Sequence, residues 1–436
     1  MWSPSRRRLL HASGITLAGL LAGCTSDVTP DDESPPTDRT PTGSPPATET
    51  ATQSPTPTET EQFPPASPTP GAPQNPTPMP VSADWPRVGA DAGNTNHVDG
   101  VTACPASSEV YWHFFAYASA PVVADGTLYT TESDDGRNLV ARDAETGRRQ
   151  WATEASNGGA LGVPVVADDR ILVQSYSLLF CFDRATGTER WRRDIGRGPV
   201  SSPVVRDGVG YLANGEFSEW PAAAFAVDLA DGEVRWQTDL GDTGRLRGSV
   251  AVDDDTVYVV AGDLRALDRS DGTVRWTHDL SAPAETTPTV ADGSVYVTDS
   301  EGTLHAVATD GTERWTASVG EPIRGSSVAV ASEEVYAGTE TGLSALTTDG
   351  ERRWRGEARA ATTPTVGSDA VYVGERGFEN RSVLAFGRDE GDRRWEHRTD
   401  EQTISDYVQA GVWGPPTLVD GGVYVAAADG LYAFGR

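Results

Sequence analysis

The sequence predicts an all-β chain, an eight-bladed β-propeller of four-stranded antiparallel blades, closed by an N-terminal strand that completes the last blade. Three observations carry this reading. A tryptophan ends a short strand-like run at Trp112, Trp151, Trp191, Trp236, Trp276, Trp315, Trp354 and Trp395. Those tryptophans lie 39, 40, 45, 40, 39, 39 and 41 residues apart. Between them one residue pattern recurs, and no helical periodicity appears after residue 24. Self-similarity at this period is the mark of a blade repeat.

Each repeat reads as four strands, A to D. A clean copy begins at Pro288, passes Asp292-Gly293, continues through Val295-Tyr296-Val297 and Leu304-His305-Ala306, and ends Glu313-Arg314-Trp315. Short β-branched and aromatic runs bounded by Asp-Gly are strands joined by tight turns, because glycine takes the positive φ such turns need. Strand A starts near the proline, B carries the tyrosine, C the alanine, and D ends at the tryptophan. The eight A strands are placed at Pro121, Pro164, Pro203, Val250, Pro288, Val328, Pro364 and Pro416. The two residues before each start are small or proline, Val163 excepted. That fits an innermost strand, where eight chains converge on an axis and bulky side chains would collide.

The ends fit together. The last unit runs to Leu431-Tyr432-Ala433-Phe434 and has no D strand. The run Glu109-Val110-Tyr111-Trp112 is a D strand with no A, B or C before it. Pairing the two orphans leaves no open edge to invite aggregation.

The motif Asp-Gly-x-Val-Tyr…Ala-Leu-Asp-x-x-x-Gly-x-x-x-Trp, best seen from Asp254 to Trp276, resembles the pyrroloquinoline-quinone-type (PQQ-like) propeller repeat. The opening Asp84-Trp85-Pro86…Gly93-Asn94-Thr95 is similar to the lead-in of such proteins. The resemblance covers residues 83–436 and implies that the eight tryptophans dock blade on blade. The family includes quinoprotein alcohol dehydrogenases and lipid-anchored BamB-type scaffolds. The adjacent cysteine pair, calcium ligands and catalytic aspartate of the dehydrogenases have no matching positions here. No cofactor is therefore expected, with PQQ and calcium as the alternative.

Residues 1–23 resemble a twin-arginine (Tat) export signal, with Arg6 and Arg7, an apolar run from Ile15 to Leu21, and a lipobox Leu21-Ala22-Gly23-Cys24. The run is too short to remain as a membrane-spanning helix. By this resemblance Cys24 is lipidated. Residues 24–82 read as a tether, because 16 of the 30 prolines fall between 25 and 82 among Thr, Ser and Glu. The expected location is extracytoplasmic, lipid-anchored to the cell membrane.

The chain carries 64 acidic residues against 35 basic ones, a net charge of −29, and every base is arginine. Such a surface repels nucleic acid and suits a halophilic, specifically haloarchaeal, setting. The tether holds eight acids and one arginine, and the signal three arginines, so the ring keeps 56 acids and 31 arginines.

No catalytic residue or metal-ligand spacing is evident. The histidines are scattered, and Cys104 and Cys181 leave open a disulfide. Asn380-Arg381-Ser382 is a glycosylation-type triplet. Candidate binding residues lie where loops break the repeat: Phe217 and Trp220 in a long B–C insertion, Arg247, Glu285 and Arg324 before A strands, and Tyr407 and Trp413 in the longest D–A loop. Exposed aromatics beside arginine are common interface anchors. The expected function is a non-enzymatic binding or assembly scaffold, a monomeric ring with a protein or envelope polymer as partner. The alternatives are a quinoprotein-type dehydrogenase and a glycan or envelope-polymer binder.

Overall fold

The computed structural model describes residue 79 and residues 81–435, apart from 105, 134–135, 137, 156–159, 197, 199–200, 216–221, 242–245, 247, 285, 360 and 405–406. Arg6, Arg7, Cys24 and nearly all of the tether lie outside the described residues.

Eight four-stranded antiparallel sheets follow one another, with no helix among the described residues. Blade 1 comprises Val122–Ala124, Thr127–Glu132, Asn138–Asp143 and Arg149–Glu154. Blades 2 to 7 span 165–194, 204–241, 251–278, 289–318, 329–356 and 365–398. Blade 8 takes Thr417–Val419, Gly422–Ala427 and Gly430–Gly435 from the C-terminus and Glu109–Phe114 from the N-terminal side. In that last pair Trp112 faces Ala433 and Glu109 faces Gly435. The A strands of successive blades touch all the way round, blade 8 against blade 1, so the ring is closed and A is innermost. Each A strand begins one residue after its expected start; at the six prolines the reason is that proline has no N–H to give a ladder.

The ladder explains the Tyr…Ala…Trp pattern. In blade 4, Tyr258 pairs with Ala266 and Ala266 with Trp276, so one alanine lies between two aromatic rings in a single cross-strand row. The rings of Tyr258 and Trp276 are 6.0 Å apart across it. A larger residue at that position would push them apart. Blade 2 substitutes Cys181, a buried free thiol paired with Trp191; Cys104 is also buried, and no disulfide joins the two.

The tryptophans also bridge blades. Trp191, Trp236, Trp276, Trp315 and Trp354 donate their indole N–H to Leu229, Arg269, Thr309, Thr348 and Arg388 carbonyls of the following blade at 2.6–3.0 Å. Trp112 reaches Ala144 in blade 1. Trp395 reaches the Cys104 carbonyl, which stands in blade 8 where a C–D turn would be. Each of these rings except Trp395 also lies over a turn glycine, and at Gly391 (φ +69°) an added Cβ would come within 2.4 Å of Trp354.

Arginines stitch the surface. Arg190 bonds Asp169 and Asp183 at 2.6 Å each. Its hydrogen bond, followed by that of the Thr186 hydroxyl, lowers the Asp183 carboxyl to about 2. A carboxyl held low contributes stability that is present above its unfolded value of about 3.9 and lost as pH falls through its folded value. Arg190→Met should therefore lower the urea midpoint at pH 6, and the gap to wild type should close between about pH 4 and pH 2. Because the pair is exposed, the gap should be small and shrink with salt. A gap that persists at pH 2 would contradict this assignment.

Candidate functional site: the central funnel and its rim

The segment before blade 8's outer strand closes one end of the axis. Trp85 pairs with Val123 of blade 1. The carbonyls of Pro86, Ala92, Gly93, Thr95, Asn96 and Thr102 then accept N–H bonds from Val166, Val252, Val290, Val330, Val366 and Gly421, at 2.8–2.9 Å. The strap thus bonds to seven of the eight blades in turn, near their A–B turns. Its local chemistry follows. Asn94 and Asn96 take positive φ (59° and 53°), which asparagine tolerates. Their amides bond inward, Asn94 to the Val250 and Pro288 carbonyls and Asn96 to Val328. Gly93 passes so close to the Val290 carbonyl that a Cβ would sit at 2.4 Å.

Above this strap lies a funnel of about 300 Å³. Arg87, Gly89 and Asn94 form its floor, and its wall is a ring of small residues including Ser119, Ser202, Ser249, Thr287, Ser327 and Thr363. Steric convergence is one reason these residues are small. Hydrogen bonding is a second. The Ser249 N–H donates to Thr287 Oγ1 and the Ser327 N–H to Thr363 Oγ1, while the Ser202 and Ser249 hydroxyls bond the Val163 and Ser202 carbonyls of the preceding blades. The hydroxyls therefore lace neighbouring blades together around the axis.

Arg87 is only 4% exposed. It bonds the Asp91 carbonyl, its Nε has no partner, and no carboxylate lies in ion-pair range among the described residues. Burial pushes its guanidinium down to about 10, against the opposing pull of Asp91. A buried cation with spare donors can hold an anionic group. The described lining supplies one guanidinium, one amide and hydroxyls, but no carboxylate. Calcium takes several oxygen ligands, commonly carboxylates. This donor set does not fit a calcium–quinone pair.

Loops D–A and B–C surround the open mouth. There Tyr117 stacks on Trp413 (6.0 Å, 10°) and meets Phe115 edge-on at 4.8 Å. The two stacked rings, with Ser133, Leu161 and Glu132, line a cleft of about 290 Å³ beside the funnel. Glu132 is buried and held by a two-pronged bond from Arg142, at 3.0 and 2.8 Å. Three large aromatics are prominently exposed among the described residues: Phe115, Tyr176 and Phe378, at 40%, 37% and 58%. All three lie in D–A or B–C loops, on the mouth face.

Of the residues singled out in the sequence, Trp413 stands at this rim and Arg324 is exposed in the D–A loop before blade 6. Tyr407 belongs to a small extra hairpin, Gln402–Ile404 with Tyr407–Gln409, inside a stretch that reads as plain loop. Phe217, Trp220, Arg247 and Glu285 lie outside the described residues. Arg87, Phe115 and Phe378 were not singled out. A lone arginine two residues after Trp85 was the available signal for the first.

A family model described as outer membrane protein assembly factor BamB matches residues 97–177, 138–219, 223–365 and 301–409. A polyvinylalcohol dehydrogenase of Sphingopyxis sp. (strain 113P3) is 28% identical over 142 residues, which is 30% of this chain and only 22% of that protein's length. BamB from Moraxella catarrhalis is similar in structure, with a TM-score of 0.57 at 17% identity over 82% of this chain and all of that one. Quinohemoprotein alcohol dehydrogenase from Comamonas testosteroni gives a TM-score of 0.63 at 14% identity, over 82% of this chain and 81% of that one. At these identities the structural likeness is one of fold.

Proposed function

The chain belongs to the family whose model is described as outer membrane protein assembly factor BamB, and from that premise we propose a non-enzymatic, lipid-anchored scaffold that docks a protein or envelope polymer outside the cytoplasm. In this reading a Tat-type signal exports the folded ring, Cys24 carries the lipid, and residues 24–82 hold the ring off the membrane. The acidic, lysine-free surface keeps it soluble in brine.

The observation that carries the docking proposal is the placement of exposed aromatics. Phe115, Tyr176 and Phe378 stand on one face of a ring whose other end is closed by the strap. Aromatics with polar surroundings are the usual anchors of interfaces. The buried Arg87 at the funnel floor would receive an anionic group from the docked partner. The Tyr117–Trp413 stack beside a polar cleft also favours a second reading, a glycan or envelope-polymer binder, since rings of this kind pack on sugar faces. The rival from another class is a PQQ-dependent dehydrogenase, supported by fold likeness and by the partial sequence match to a polyvinylalcohol dehydrogenase.

A photo-crosslinker placed at Phe115 or Phe378 in the native cell should capture one defined protein or polymer, and the same group at Asp292, on the strap side, should not. Equal capture from both faces would overturn the docking proposal. Dye reduction on alcohols after adding PQQ and calcium would overturn it in favour of the dehydrogenase.

A further inference from the structure

Two histidines and a glutamate from adjacent blades meet at the seam between blades 4 and 5. His278 ends the D strand Val274–His278 of blade 4, and His305 and Glu313 lie on the C and D strands of blade 5. His278 Nε2 is 3.6 Å and His305 Nδ1 3.5 Å from the same oxygen, Glu313 Oε2. The three ligand atoms all lie within 4.8 Å of one another.

A hydrogen bond fixes the His278 tautomer. His278 Nδ1 is 3.2 Å from the Gly311 carbonyl, which can only accept, so Nδ1 carries the hydrogen and Nε2 a lone pair. That Nε2 is buried and has no hydrogen-bond partner. His305 Nε2 is 3.2 Å from Asp299 Oδ2. Asp299 is fully buried. It also accepts bonds from the Thr303 and Glu301 N–H groups and the Ser281 hydroxyl. His305 Nε2 thus faces the oxygens of Asp299 and Ser281, and its Nδ1 faces Glu313 Oε2. Two imidazole nitrogens and one carboxylate oxygen, drawn from adjacent blades, then converge on one point.

That arrangement is what a transition-metal ion requires. Each imidazole gives its other ring nitrogen to an oxygen acceptor, the outer-shell pattern that orients metal-binding histidines and raises their basicity. Tetrahedral zinc with Zn–N of about 2.0–2.1 Å sets neighbouring ligand atoms roughly 3.3 Å apart. Two of the three spacings here are already 3.5 and 3.6 Å. Glu313 is 47% exposed on its side chain, which leaves the fourth position open to water.

We propose that His278, His305 and Glu313 form a divalent transition-metal site, best suited to zinc, that pins blade 4 to blade 5. The imidazole and carboxylate donors favour zinc over calcium or magnesium, which take oxygen ligands.

The test uses the full chain stripped with a chelator. Zinc added alone should bind at one equivalent and raise the thermal unfolding midpoint, because a ligand that binds only the folded state stabilises it. Cobalt in its place should give the visible absorption of a tetrahedral nitrogen-ligated ion. His278→Ala and Glu313→Gln should each weaken zinc binding at least tenfold while leaving the metal-free midpoint near wild type. No midpoint shift with zinc, or variants that bind as tightly as wild type, would overturn the site. Loss of binding in a variant whose metal-free midpoint has also collapsed is resolved by Glu313→Asp, which keeps the carboxylate and must restore at least part of the affinity.

Discussion

Deleting residues 105–115 should abolish the soluble monomeric ring. The deletion removes Glu109–Phe114, leaves the Gly430–Gly435 strand as a bare edge, and takes Trp112 out of its seat on blade 1. Truncating one buried tryptophan costs about 3–5 kcal/mol, and here a whole strand goes with it. The total should exceed the roughly 5–15 kcal/mol that keeps ordinary domains folded, or come close to it. The exposed edge should then drive aggregation. Size-exclusion chromatography and denaturant titration measure both effects. A circular permutant carrying residues 105–115 after Arg436, through a short turn, should recover the monomer. Glu109 already faces Gly435, so a tight turn can join them. A deletion that leaves stability unchanged would show that ring closure does not depend on this pairing.

Gly391→Ala should be the most costly of the substitutions at the turn glycines that lie against tryptophan rings. The backbone there sits at φ +69°, and the new Cβ would meet Trp354 at 2.4 and 2.5 Å. The left-handed conformation alone costs an alanine about 1–2 kcal/mol. Forcing a methyl against a packed ring adds about 1–3 kcal/mol. Trp354 cannot simply retreat, because its N–H is bonded to Arg388. A sum of about 3 kcal/mol is expected in urea unfolding. Gly293→Ala is the control, with φ +72° but only the end of Arg314 nearby, at 3.6 Å. It should show the conformational cost alone, about 1 kcal/mol. Equal losses in the two variants would mean that the tryptophan seat is unimportant.

The architecture was legible because it is written eight times. Tyr258, Ala266 and Trp276 mean little as one triplet, but their recurrence at a fixed spacing reveals the ladder row that makes each necessary. The missing D strand after Phe434 and the spare one at Trp112 likewise disclosed the closure. The site was less legible for physical reasons. Arg87 matters because the strap crosses beneath the axis, and nothing in the repeat encodes that path. His278 and His305 belong to different repeats, and only the docking of one blade on the next brings their rings to 6.5 Å. Phe115 and Phe378 resemble any loop aromatics until the loops are sorted by face. The hairpin at Tyr407 was hidden because it adds two short strands outside the four-strand pattern.

The strap also gives the ring a direction. Met79 is buried against Gly422, beside an A–B turn of blade 8, and Trp85 joins the A strand of blade 1. The described chain therefore enters at the sealed end, opposite the aromatic mouth. Chain drawn away from Met79 would act as a cord fastened at the ring's closed base. A pull on that cord would be shared by seven blades through the strap's hydrogen bonds instead of peeling one strand from one sheet. Load on the described chain would thus spread around the axis, at the end opposite the aromatic mouth.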